Sequence, residues 1–164
     1  MIYGLTPLGV VHTAISLVAV AAGAIAFLHY GKIPPAYAVG KVYIITTILA
    51  CLTALGIFQH GGFGKPHALA ILTLVVLAVA AVAGRTSLFG RASAYVETIS
   101  YTLTFLFHMI PAVTETSTRL PLGAPLLASA DAPELQKAAG VLLVLFVLGA
   151  AWQVWRLRAR PTAM

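Results

Sequence analysis

The chain has 164 residues, 60% of them hydrophobic and 9% charged, with a formal charge of +6. So apolar a composition excludes a water-soluble globular domain, and it assigns the basic excess to loops at a membrane surface, where it sets orientation, and not to nucleic acid. The single cysteine, Cys51, lies within an apolar run, which excludes an internal disulfide and a thiolate cluster; with no CxxCH motif, covalent haem attachment of that kind is excluded too.

Five segments are long enough, at about 1.5 Å per residue, to cross about 30 Å of hydrocarbon. They are 8–28, 39–58, 68–83, 95–113 and 138–155, joined by short connections, so the expected fold is an all-α integral membrane five-helix bundle forming one domain over 1–164. The first segment has no basic residue before it and is longer than the usual signal-peptide core of about seven to fifteen residues, so it reads as a retained helix. Tyr30-Gly-Lys-Ile-Pro-Pro-Ala-Tyr37 ends it, because two prolines in a row disfavour helix and remove two backbone donors. The second segment carries a sparse polar set, Thr46, Thr47 and Thr53.

Between the second and third segments, Gly61-Gly-Phe-Gly-Lys-Pro66 reads as a tight hairpin flanked by His60 and His67, with the proline suited to the first turn of the next helix. The third segment ends near Gly84. Small residues four apart, Ala19 with Gly23 and Ala80 with Gly84, suit close helix approach.

Lys32, Lys41, Arg85, Arg91, Arg156, Arg158 and Arg160 fall on one side of the five spans, and only Lys65, Arg119 and Lys137 on the other. The rule that basic loops stay inside makes the first side cytoplasmic, with the N-terminus outside and the C-terminus inside. Trp152 and Trp155, just before the basic tail, have the amphipathic rings expected at the inner interface.

The fourth segment is the most informative. Glu97, Tyr101, Thr104, His108 and Glu115 follow at spacings that place them along one helical face, a polar stripe in an apolar span. Ionisable groups in hydrocarbon normally face a bundle interior, a cavity or a cofactor. Glu97 suits proton entry from the inner end, or a simple pair with Arg91; Glu115 and Arg119, four apart, suit an ion pair at the outer surface. Pro111 should kink the helix above His108. The connection after it, 116–137, carries three prolines and suits either a lid on the outer end or a solvated linker.

Placed by depth, His12, His60, His67 and His108 each lie near the outer end of a different helix, and His29 alone near the inner end. Histidines on facing helices can ligate haem b, one on each iron face, which makes an electron-transferring b-type cytochrome, exchanging electrons with quinone or another redox partner, the leading expectation. The same four histidines with Glu115 equally suit copper, zinc or iron. The plainer reading is that helix-end histidines bond headgroups, water or loop carbonyls, and that the chain is a structural accessory subunit, a homo-oligomer or part of a larger membrane complex. No Walker-type loop, HExxH or serine-hydrolase motif supports a hydrolase.

Two stretches carry a resemblance. His12 followed by Gly23, then Gly40-Lys-Val-Tyr43 opening the second span, and the Gly61-Gly62 hairpin before an apolar third span are similar to a family of predicted bacterial multi-helix membrane proteins of unknown function. The resemblance covers about the first 110 residues, and implies a small helical bundle in the bacterial inner membrane with no chemistry attached.

Overall fold

The computed structural model describes residues 6–58 and 62–159. All regular structure among them is helical: α1 (Pro7–Tyr30), α2 (Ala38–Leu55), α3 (Lys65–Arg85), α4 (Ser93–Arg119), preceded by a single 3-10 turn at Gly90–Ala92, and α5 (Pro133–Arg158). Each of the five helices is long and apolar enough to cross a bilayer.

The helix ends follow local chemistry. Thr6 caps α1 by accepting from the Gly9 N–H at 3.0 Å, and Pro7 occupies the first turn, where its missing donor costs nothing. Gly31, with φ of 68°, ends α1 in the left-handed conformation that favours glycine. α2 stops at Leu55, short of the 58 expected from hydropathy, because Gly56 and Ile57 turn back to the carbonyls of Thr53 and Ala54. α4 runs on through Pro111 to Arg119, beyond the expected end at 113. Residues 120–132 then fold back onto the end of that helix, with the Leu127 N–H bonded to the Ser117 carbonyl. They are almost all exposed.

α1 packs on α2, α2 on α3, α3 on α4, and α4 closes back on α1, so four helices form a ring with α2 and α4 on one diagonal. Buried positions on α2 (Gly40, Tyr43, Thr47, Ala50) and α3 (Ala70, Thr73, Leu77, Ala80) recur at alternating spacings of three and four, the seam of a four-helix bundle. The packing alternates small with large. α1 presents Ala19, Ala22, Gly23 and Ala26, and α2 and α4 fill the space with Tyr43, Tyr101 and Phe105. A Cβ on Gly23 would lie 2.6 Å from the Phe105 ring, so the α1 to α4 seam requires a glycine there.

α5 lies outside the ring against α4 alone, and most of its apolar surface is exposed. One polar residue holds it. Gln153, 4% exposed, donates from Nε2 to the Gly31 carbonyl at 2.8 Å and accepts from the Thr102 hydroxyl at 2.9 Å.

Candidate functional site

An apolar ring of helices would need no polar atoms on its inner diagonal, yet α2 and α4 meet there through two side-chain bonds. The Tyr43 hydroxyl lies 2.8 Å from Thr104 Oγ1, and Thr104 Oγ1 is 2.7 Å from the Tyr101 carbonyl. A carbonyl only accepts, so the Thr104 proton goes to Tyr101 and the Tyr43 O–H donates to Thr104. One turn further along both helices, His108 Nε2 lies 3.1 Å from Thr47 Oγ1. Tyr43, Thr47 and Thr104 are fully buried, and the Tyr43 ring meets the His108 imidazole edge-on at 6.0 Å. The result is a closed box of two rungs, made possible because the alanines of α1 leave room for an aromatic phenol on the axis.

His12 of α1 reaches α2 one turn beyond Thr47. Its Nδ1 lies 3.0 Å from the Ala50 carbonyl and 3.1 Å from Thr53 Oγ1. The carbonyl requires Nδ1 to carry the proton, which leaves Nε2 as the lone pair of a neutral ring, with the Ser16 hydroxyl at 3.5 Å. His12 and His108 therefore join two different helices to the same stretch of α2, from Thr47 to Thr53.

His67 is placed differently. At the third residue of α3, its Nδ1 accepts from the Gly64 N–H at 3.2 Å, which fixes the proton on Nε2, the reverse tautomer of His12. The ring stacks on Phe58 at 4.7 Å and on Phe63 at 5.4 Å, and its Nε2 is buried with no bonding partner among the described residues. His60 lies outside the described residues. His29 is exposed at the far end of α1, bonded to the Ile25 carbonyl, in keeping with a surface role.

The stripe on α4 is brought inside in its middle and not at its Glu115 end. Tyr101 and Thr104 are buried and His108 is half-buried, whereas Glu115 is exposed and paired with Arg119. Glu115 thus does not join the imidazoles. Glu97 packs its carboxylate against Gly84 of α3, where a Cβ would collide with it, and among the described residues no ion pair links it to Arg91. Several members of the polar interior escaped the sequence reading: Tyr43, Thr73, Thr98, Thr102 and Gln153. A glutamine inside an apolar helix was the available signal for the last.

Among the described residues no three His, Cys, Asp or Glu side chains come together to hold a metal ion. A haem between His12 and His108 requires a flat gap between them. Thr47, Ala50 and Thr104 occupy that level as buried residues, with the Thr47 hydroxyl on His108 and the Ala50 carbonyl on His12. That pairing does not fit a porphyrin in this packing. His12 keeps a ring lone pair, facing the Ser16 hydroxyl at 3.5 Å, whose opposite nitrogen is fixed by a backbone carbonyl, the arrangement metal-ligating histidines use.

Compared with known proteins, the chain matches no family model, and no curated protein or solved structure is significantly similar to it.

Proposed function

We propose that the chain inserts as a five-span protein, with the N-terminus outside and its basic end cytoplasmic, in the inner membrane of a bacterium, and that its interior transfers protons. The observation that carries this reading is the pair of bonds from α2 to α4, Tyr43 to Thr104 and Thr47 to His108, across the middle of the ring. An ionisable group held inside a membrane bundle is a functional group by default, and chains of His, Asp and Glu are the usual proton relays. His108 is the titrating member: an imidazole accepts a proton at one nitrogen and releases one from the other. Thr47 meets that imidazole with its hydroxyl and Tyr43 with its ring edge. Glu97 lies towards the basic end and His12 one turn beyond the box in the other direction, so a titratable group stands on either side of it.

The test is proton flux into liposomes holding a pH-sensitive dye, after a pH jump. Wild-type protein is expected to conduct, with His108→Leu reducing the flux about 100-fold or more, in the range of a general acid–base group. Wild-type flux equal to that of protein-free liposomes sinks the proposal.

A second reading has one observation behind it, the Nε2 lone pair of His12, met only by the Ser16 hydroxyl at 3.5 Å among the described residues. In it, His12 takes part in ligating haem b, or a copper, zinc or iron ion, near the outer face, and the protein exchanges electrons with quinol or a redox partner. A reduced-minus-oxidised visible spectrum with metal analysis on the same preparation decides it: a Soret band lost in His12→Ala supports haem, and a colourless, metal-loaded sample supports a bare ion. A cofactor-free, non-conducting protein that copurifies with a larger assembly leaves the accessory-subunit reading.

A further inference from the structure

The two ends of the bundle differ in how their charges are met. At the end bearing Glu115, Asp131 and Glu134, the two ion pairs of the described residues, Lys65 with Asp131 and Arg119 with Glu115, neutralise most of the charge. At the other end stand Lys32, Lys41, Arg85, Arg91, Arg156 and Arg158 with Glu97 as their one carboxylate, and no ion pair forms there among the described residues.

Two of these cations share a cleft. Tyr30, Gly31 and Lys32 from the end of α1, Thr98 of α4, and Gln153 and Arg156 of α5 line a shallow recess open to the surroundings. Its floor is polar and buried: Gln153 is 4% exposed and Thr98 3%. Its rim is held in place. The Arg156 guanidinium lies 4.8 Å from the centroid of the Trp152 ring, and both side chains close over Gly31, where a Cβ would stand 2.6 Å from the indole and 2.7 Å from the guanidinium. The left-handed Gly31 therefore both ends α1 and admits the arginine to the cleft. One turn towards the middle of the bundle, the surroundings become apolar, with Leu28 84% and Trp152 46% exposed.

We propose that this cleft binds the headgroup phosphate of an anionic phospholipid. Lys32 and Arg156 meet the phosphate, and the acyl chains lie along Leu28 and Trp152. Basic pockets between helices on the cytoplasmic side have this chemistry, and a phosphate is the anion a fixed guanidinium and a nearby ammonium suit best. A lipid, and not a soluble phosphate, fits the continuity from cations to exposed apolar side chains within one turn. The proposal rests on the membrane placement proposed above and is independent of proton transfer.

The chain's two tryptophans supply the probe. In a Trp155→Phe background, Trp152 reports on the cleft, and quenching by lipids brominated in their acyl chains gives relative binding constants. Brominated phosphatidylglycerol is expected to bind roughly five-fold more tightly than brominated phosphatidylcholine at this site. Lys32→Gln with Arg156→Gln should bring the ratio near one, and Lys41→Gln with Arg158→Gln, away from the cleft, should leave it. Equal binding of the two lipids, or an equal loss in both double variants, overturns the site in favour of diffuse attraction. Absence of quenching by either lipid overturns the membrane placement itself, and so distinguishes the two failures.

Discussion

His108 of α4 is joined to Thr47 of α2 across the diagonal of the ring, Nε2 to Oγ1 at 3.1 Å, between two helices whose backbones do not otherwise meet. The bond spans the bundle axis, so its loss is felt by helices on both sides. Thr47→Val and His108→Leu, singly and together, should show a coupling energy of about 0.6 to 2 kcal/mol in detergent unfolding, the range of interhelical hydrogen bonds in membrane bundles. Strict additivity of the two single changes would mean that the bond does not form.

His12 and His67 should hold opposite tautomers. A carbonyl opposite Nδ1 of His12 and a backbone N–H opposite Nδ1 of His67 leave no other neutral arrangement. Nitrogen NMR of labelled histidine should find His12 protonated at Nδ1 and His67 at Nε2. The same tautomer at both positions would contradict one of the two bonds. Thr53→Ala should leave the His12 tautomer unchanged, since the Ala50 carbonyl remains.

The glycines separate by what surrounds them. A Cβ on Gly23 would meet the Phe105 ring, and one on Gly40 the Pro34 carbonyl, which as backbone cannot give way. Gly23→Ala should destabilise by about 1 to 3 kcal/mol, an overpacking cost, and Gly40→Ala by at least as much. Gly149→Ala, with nothing within 4 Å, should be neutral or gain the helical preference of alanine. Thermal unfolding in detergent ranks the three, and equal midpoints would refute the close contacts.

Gln153→Leu should loosen α5 from the ring. The change removes the bond to Thr102 and strands the Gly31 carbonyl, at a cost of about 1 to 3 kcal/mol for the unmet acceptor. Hydrogen exchange should quicken along α5 while α2 and α3 stay protected; uniform protection across the five helices would show that the glutamine holds nothing.

The amino-acid order alone determined that there are five long apolar helices and where each roughly starts and stops, because length, apolar runs and the punctuation by proline and glycine are local properties. It also singled out the α4 stripe from Glu97 to Glu115, which shares a face whatever it packs against, but not that Tyr101, Thr104 and His108 would be brought inside and Glu115 left exposed. Local order could not decide which helix stands opposite that face. The helices are apolar nearly all round, so periodicity does not mark the inner side, and only ring closure put α2 on the diagonal and made Tyr43 and Thr47 the partners of Thr104 and His108. Depth brought His12, His67 and His108 towards one end, but rotation about each helix axis sent His12 to Ala50, His67 back to its own cap and His108 to Thr47. A helix has one axial position per residue and a full circle of directions, and tertiary packing alone selects among them.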